Sequence, residues 1–527
     1  MRLSKIDVDQ FYGIEIEEWP ARIAEVALWL MDHQMNLLIT EAFSQSYQRL
    51  PLKKAPHIRQ CNALRIDWRD VLPTTDCSYV LGNPPFVGKR FRTAGQEQDM
   101  AIVLGDVTGR GILDYVTAWY FKAAEYIRGS DIHVAFVSTN SVSQGEQVGV
   151  LWEELFRRYG LKIIFAYRTF PWKSEARGRA HVHVVIIAFA NHDTERKAIY
   201  ESNAADDTVT VTPVNNISPY LVQGSDTVVK SKSRPIAPAP SFAFGSMAND
   251  GGHLMLNDDE RDQAIQAEPG VKRFIRRIIG SDEFLYDVRR WCLWLVDVAP
   301  HEILGSELIH TRVEMVREKR LASPRETTQE LARTPALFGE IRQPHSRYLA
   351  IPKTSSELRT YIPIAFCEAD IIANTEIFTS PDANLYHFGV LTSAMHMAWV
   401  RLVCGRLESR YRYSTTLVYN NYPWPADSEQ QRSRVEQEAQ AVLDARARFP
   451  ESNLAELYDP LSMPPDLLRA HERLDRAVDR CYRREAFDTD RQRVEFLFAM
   501  YEHLAAPLLP AVVARRGRRA ASRGENR

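Results

Sequence analysis

Between residues 11 and 190, short apolar runs alternate with longer amphipathic stretches, and this rhythm restricts the fold more than any other feature of the chain. "DQFYGIEI", "HIRQCNAL", "CSYVLGNPPF", "IHVAFVSTN", "LKIIFAYRTF" and "HVHVVIIAFA" are rich in β-branched and aromatic residues and read as strands. The stretches between them read as helices. "WPARIAEVALWLMDHQMNLLITEAF" carries Pro20 in its first turn, "GILDYVTAWYFKAAEYI" ends near Gly129, and "LWEELFRRYG" closes on Gly160. Strands separated by helices imply crossover connections and hence an α/β doubly wound, Rossmann-like sheet. The last two strands have only a short connection and are expected to form an antiparallel edge pair.

Beyond residue 195 the rhythm changes. A Ser-, Thr- and Pro-rich stretch suits a linker with short strands, and residues to 425 read as a second, α+β domain. Residues 426–514 are strongly helical, through "SEQQRSRVEQEAQAVLDARARF", "PDLLRAHERLDRAVDRCYRR" and "RQRVEFLFAMYEHLA". Residues 515–527 form a basic tail expected to be disordered.

Composition narrows the function only by exclusion. Lys and Arg (66) nearly balance Asp and Glu (68), for a net charge of -2, so any nucleic-acid surface must be local. The six cysteines include no CxxC and none stands at zinc-finger spacing from a histidine, so no metal is expected. The N-terminus lacks the apolar run of a signal peptide, and no uncharged run nears the about 20 residues that span a bilayer. A cytoplasmic protein is expected.

Chemistry concentrates where the strand "SYVLG" meets Asn83-Pro84-Pro85-Phe86. Two consecutive prolines lack N–H donors and hold φ, so they end the strand and stiffen the loop. Loops at the C-terminal ends of parallel strands are where such sheets bind ligands. There the Asn83 carboxamide oxygen and the Pro84 carbonyl can converge on an exocyclic NH2, and Phe86 can stack on a planar ring such as a flipped base. The competing account is a strand-end turn over a buried Phe. Glu15 ends an upstream strand, where a carboxylate can accept both ribose hydroxyls of an adenosyl cofactor, although an acidic residue also starts a helix for dipole reasons. Asn62 ends the next strand and can face an adenine edge or simply make a turn. Three polar residues on three successive strand ends form a more specific pattern than any one of them.

"FYGIEIEEWPARIAEVALWLMDHQMN", "CNAL", "GNPPFVG", "LDYVTAWYFKAAEYI" and "FAYRTFPWKSEARGRAHVHVVIIAF" together resemble the S-adenosylmethionine-dependent DNA methyltransferases of the adenine-N6 type. Through "RRWCLWL", "YHFGVLTSAMHMAWVRLVCGRLESRYRYSTTLVYNNYPWP" and "DPLSMPPDLLRAHERLDRAVDRCY", the chain is similar to the MmeI-like single-chain restriction-modification enzymes. The resemblance implies a methyltransferase domain at 1–195, a linker and target-recognition domain at 196–425, and a C-terminal helical domain at 426–514. It implies that Asn83, Pro84 and Pro85 form the acceptor loop, that Phe86 and Phe170 hold the base, and that Glu15 and Ile16, with Asn62 and Ala63, bind S-adenosyl-L-methionine. Double-stranded DNA is the implied partner.

In "RLESRYRYS", the resemblance places Glu408, Arg410 and Arg412 in target recognition, with Glu408 and Arg410 reading a C·G pair. The chemistry agrees, since Arg donates to guanine O6 and N7 and Glu accepts from cytosine N4. The competing account is a solvated loop with structural tyrosines. The family's glycine-rich loop and nuclease are not found upstream of Gly13, so the chain is expected to be a C-terminal portion that binds the cofactor poorly alone and does not cut DNA. A separate N-terminal fragment carrying both is an expected partner. Two other functions stay open: an inactive DNA-recognition fragment, and a methyltransferase acting on a protein glutamine or an RNA guanine. His181 and His183, "NDGGH", "ISPYL" and "NNYPWP" are expected to be structural, and "RRGRR" to be solvated.

Overall fold

The computed structural model describes residues 6–43, 55–172, 183–202, 208–407 and 409–505. Internal contacts divide the chain into two compact units. The first takes residues 1–231, 353–359 and 400–417, and the second takes 232–352, 360–399 and 418–527.

In the first unit, β1 (Tyr12–Glu15), α1 (Glu18–Phe43) and β2 (His57–Gln60) form a βαβ unit whose strands pair in parallel. β3 (Tyr79–Gly82), β4 (His133–Thr139), β5 (Lys162–Pro171), β6 (His183–Ala190), β7 (Lys197–Ser202) and β8 (Val209–Val214) form a separate sheet in the order β3-β4-β6-β5-β7-β8. Helices α2 (Ala94–Leu104), α3 (Thr117–Tyr126) and α4 (Glu146–Tyr159) complete the unit. The α/β class is as expected, but the sheet is mixed.

The expected edge pair is corrected. β5 and β6 are antiparallel, yet β6 also pairs with β4 and lies inside the sheet. Its burial on both faces explains this, because a strand apolar on both sides needs cover on both. β7 and then β8 follow it in the sheet, β8 coming from the stretch expected to be a linker with short strands, and β8 exposes most of its length at the edge. α3 begins at Thr117 rather than 111, because Asp114 is engaged as an acceptor that holds the preceding loop.

Tyr120 centres the core of this unit. Its ring lies 5.4 Å from Phe136, 5.4 Å from Phe189 and 5.8 Å from Trp152, and its hydroxyl meets Ser138 at 2.8 Å. Aromatic packing of this kind, with its one polar atom satisfied, clamps α3 and α4 onto β4 and β6.

The second unit holds two small four-stranded sheets, one through Ile275–Ile279 and one through Tyr348–Pro352. The fully buried Arg320 donates to the carbonyls of Ala248, Asn249, Leu331, Thr334 and Leu337, so backbone dipoles offset the loss of its hydration. Helices Glu429–Ala447, Pro465–Tyr482 and Asp490–Ala505 match the expected helical segment. The basic tail lies outside the described residues.

Candidate functional site

Gly82 ends β3, and a Cβ there would lie 3.1 Å from the Phe136 ring, so a larger residue would require that ring to shift. Pro84 is buried while Asn83 and Pro85 are exposed and Phe86 is half-buried. The loop is tied from behind. Tyr115 N–H donates to the Val87 carbonyl at 2.9 Å, and Lys89 N–H donates to Asp114 Oδ1 at 3.0 Å. Ser141, just past β4, donates to the other Asp114 oxygen at 2.7 Å. A buried proline and these three bonds make a rigid mount that leaves the Asn83 side chain outward.

β3 is parallel to β4, and β4 and β5 are each antiparallel to β6, so β3, β4 and β5 run the same way. Their C-terminal ends share one edge of the sheet. Asn83 lies there, and so does Phe170 near the end of β5. Phe170 is half-buried, follows a register shift in β5, and packs edge-on to Tyr167 at 4.9 Å. No described ring contact joins Phe86 and Phe170.

Glu15, Ile16, Asn62, Ala63, Asn83, Pro84 and Pro85 line one cleft of about 920 Å³. Phe86 is not on its wall. The Glu15 Oε1 atom accepts from Ile16 N–H at 2.9 Å and Glu17 N–H at 3.2 Å at the start of α1. Oε2 makes no hydrogen bond among the described residues. Asn62 is more committed. Its Oδ1 accepts from Leu64 N–H at 2.9 Å, and its Nδ2 donates to Asp99 at 3.1 Å. Its carboxamide therefore builds the turn rather than reaching into the cleft, and the Ala63 carbonyl is likewise taken, by Trp68 Nε1 at 2.9 Å.

Asp99, on α2, was not singled out from the sequence. It is buried in the cleft wall, where it accepts from Tyr115 at 2.6 Å, from Arg65 at 2.6 Å and from Asn62. Burial works against its charge, but the bonds from Tyr115, Arg65 and Asn62 outweigh burial and hold its carboxyl below the ordinary carboxylate range. Burial, and then the bond to Asp99, push the Tyr115 hydroxyl up. One signal was available: Thr93 and Gln96 form a reciprocal capping box, a T-x-x-Q pattern that announces α2.

Arg410 and Arg412 lie on the strand Arg410–Arg412, which pairs antiparallel with Gly405–Leu407 and, on its other side, with Thr354–Ser355. Glu408 lies outside the described residues. Tyr411 is buried beneath the Arg406 guanidinium, 3.9 Å from the ring centroid. Strand alternation therefore turns Arg410 and Arg412 to the opposite face. The hairpin belongs to the first unit. Gly145 donates to the Val403 carbonyl at 3.2 Å, and its φ of +77° with Gly405 opposite lets the two backbones meet. Gly145 stands between β4 and α4, at the same sheet edge as the Asn83 loop.

The features expected to be structural are placed as follows. In "ISPYL", Ile217, Ser218, Tyr220 and Leu221 are buried, and Tyr220 accepts from Val229 N–H. In "NNYPWP", Asn420 donates to the Lys232 carbonyl and Tyr422 meets the Tyr482 hydroxyl at 2.7 Å. His183 begins β6, and His181 lies outside the described residues. Among the described residues no group of three His, Cys, Asp or Glu side chains is placed to hold a metal ion, and no helix is long and apolar enough to cross a membrane.

Comparison with known proteins matches three family models in succession along the chain. The MmeI DNA-methyltransferase domain model matches residues 1–201, the MmeI target recognition domain 223–426, and the MmeI C-terminal domain 427–509. DNA methyltransferase A of Bacillus subtilis (strain 168) is 39% identical over 503 residues, which is 95% of this chain and 56% of that protein. The chain thus spans little more than half the length of this relative. The structure of the Type IIL restriction-modification enzyme MmeI in complex with DNA superimposes with a TM-score of 0.85 at 46% identity, covering 96% of this chain and 67% of that one. The chain belongs to the MmeI family, carrying its DNA-methyltransferase, target recognition and C-terminal domains.

Proposed function

We propose that the chain is the acceptor-side and recognition part of a site-specific DNA methyltransferase of a restriction-modification system, methylating the N6 amino group of a flipped adenine. The supporting observation is the rigid Asn83–Phe86 loop at the C-terminal edge of parallel strands, opening on the cleft that Glu15 also lines. The Asn83 carboxamide oxygen and the Pro84 carbonyl accept the two N–H bonds of the amine, which directs the nitrogen lone pair toward the donor. Phe86 and Phe170 supply apolar faces for the extruded base. No general base is needed, because the amine loses its proton after the new bond forms.

S-adenosyl-L-methionine is the proposed donor, and its sulfonium supplies an electrophilic methyl group when bound. The residues present fit its adenosyl end. The Glu15 carboxylate keeps one oxygen for ribose hydroxyls, and the exposed Ile16 offers an apolar surface beside the turn shaped by Asn62 and Ala63. Arg410 and Arg412, with Glu408, are proposed to contact the target DNA.

The test is single-molecule sequencing of DNA from a host without adenine methylation. That host expresses this chain together with the part of B. subtilis DNA methyltransferase A that the chain does not span. N6-methyladenine at one discrete motif is expected. Label transferred to protein or RNA alone would overturn the assignment. DNA binding without methylation would favour the recognition-fragment reading, which the open side of the cofactor cleft supports.

A further inference from the structure

The helices Glu429–Ala447 and Pro465–Tyr482 pack antiparallel within the second unit. At one level Gln431 Nε2 donates to the Arg480 carbonyl at 2.8 Å, and two turns along Arg473 Nε donates to Glu438 Oε2 at 3.1 Å. Between these contacts lies a groove of about 350 Å³. Ala477 lines it, and its small side chain leaves the space open. Arg434, Arg473, Arg476 and Arg480 line it as well. The last three follow one another at three- and four-residue steps, which puts them on one face of their helix.

The groove has one carboxylate among its described lining residues, Glu438. It is 5% exposed and is held by Arg434 and Arg473 together. A buried charge is costly unless it is paired, so these two bonds also fix both guanidiniums in place. Arg476 and Arg480 differ. Both are exposed, and neither guanidinium makes a hydrogen bond or an ion pair among the described residues. Carboxylates nearby are not used to neutralise them. Glu472 stands one turn before Arg476 without pairing to it, Asp475 accepts from Tyr361 and Ala394, and Asp479 holds Arg493. Arg432 and Arg469, on the same two helices but outside the groove, do have partners, Asp427 and Asp466. Positive charge is thus left over at this one place.

Like charges one turn apart destabilise a helix, and an anion between them relieves the repulsion. Guanidinium forks match phosphate oxygens in pairs, which makes phosphate the anion this groove suits best. The whole chain has a net charge of -2, so attraction to a polyanion has to come from local surfaces such as this.

We propose that the groove between these helices binds backbone phosphates of duplex DNA. It lies in the part of the chain matched by the C-terminal domain model, so it is a contact additional to the target recognition domain. Arg476 and Arg480 supply the free donors, and Arg434 and Arg473, pinned by Glu438, supply the positive field behind them. Such a contact positions the duplex and carries no base sequence. The assignment rests on the reading of the chain as a DNA-acting protein, but not on the identity of the methylated base.

The experiment measures binding of the full chain to two unrelated duplexes of equal length over a range of salt. In the double variant Arg476→Gln/Arg480→Gln, the slope of log affinity against log salt should become shallower by about 2 on both duplexes. The fall in affinity between about 50 and 200 mM salt should accordingly shrink about 10-fold. Arg469→Gln removes a paired charge from the same helix and should leave the slope unchanged. Neither Arg476 nor Arg480 is bonded, so the double variant should melt with the wild type; if it melts lower, the single variants decide, each expected to change the slope by about 1. Titration with inorganic tripolyphosphate separates the two sources of phosphate. Saturable micromolar binding that the double variant loses, with its DNA slope unchanged, would assign the groove to a free polyphosphate and overturn the proposal. An unchanged slope with DNA binding intact would overturn the groove alone, whereas no binding to either duplex would remove the DNA-acting reading with it.

Discussion

The Tyr115 hydroxyl donates to Asp99 at 2.6 Å while the backbone N–H of the same residue donates to the Val87 carbonyl at 2.9 Å. One residue therefore links the wall of the cleft to the back of the Asn83–Phe86 loop. Tyr115→Phe would keep the ring but leave a buried carboxylate short of one donor. A stability loss of about 1–3 kcal/mol is expected in urea denaturation. The sign with pH follows from Asp99, whose lowered carboxyl stabilises the fold above the ordinary carboxylate range and loses that contribution as pH falls through its folded value. In Tyr115→Phe this acid-side loss is smaller. Equal acid limbs in the two proteins would contradict the account.

Asn83 is exposed, so Asn83→Ala is expected to change stability by less than about 0.5 kcal/mol. Methyl transfer in the reconstituted system should nevertheless fall by about 100-fold or more, because the variant removes one of the two acceptors proposed to hold the amine as it reacts. Binding to DNA should be retained in a gel-shift assay. A variant with full activity would remove Asn83 from the chemistry.

The recognition assignment is tested by exchange of charge. Reversing Glu408 and Arg410 in the reconstituted system should change one base pair of the methylated motif while leaving the fold intact. Motif sequencing reads the outcome, and an unchanged motif would reject the assignment. Discrimination of about 1–3 kcal/mol per bidentate contact is enough to make the change visible.

Gly145→Ala places a Cβ 3.0 Å from the Gly405 Cα at a φ of +77°. Both the contact and the backbone conformation are unfavourable, so about 1–3 kcal/mol of destabilisation is expected. Amide exchange should localise the effect to the 405–412 hairpin. Loss spread evenly over the first unit would show that the hairpin does not depend on this contact.

In the second unit, Asp475 accepts from the Tyr361 hydroxyl at 2.6 Å and from Ala394 N–H at 2.7 Å, but burial still pushes its carboxyl up to about 6. Between about pH 4 and 6 the folded chain holds a proton that the unfolded chain has lost, so stability falls as pH rises through that window. The effect is at most about 3 kcal/mol. Asp475→Asn should flatten the slope in a melting-temperature series from pH 4 to 7, and an unchanged slope would assign the proton elsewhere.

Local chemistry made much of this protein legible. Pro84 and Pro85 end β3 because they cannot donate, Gly160 closes α4, and the apolar periods announce the helices from 429 onward. Those choices depend on a residue and its near neighbours in sequence. Asp99 escaped notice because its value comes from Asn62, Arg65 and Tyr115, which only folding brings to it. The placement of β6 inside the sheet was equally hidden, since short connections signal pairing but not what pairs on the other side. Asn62 shows the same limit in reverse, because it stands just past a strand end beside the cleft while its carboxamide is already used by Leu64 and Asp99. By itself the sequence determined the strand ends, the helices and the rigid Asn83–Phe86 loop, which are set by local backbone constraints. Only the tertiary structure decided which polar atoms remain available, that the 405–412 hairpin joins the first unit through Gly145 and Gly405, and that β1 and β3 line one cleft. Those properties belong to long-range pairing, which no stretch of residues specifies alone.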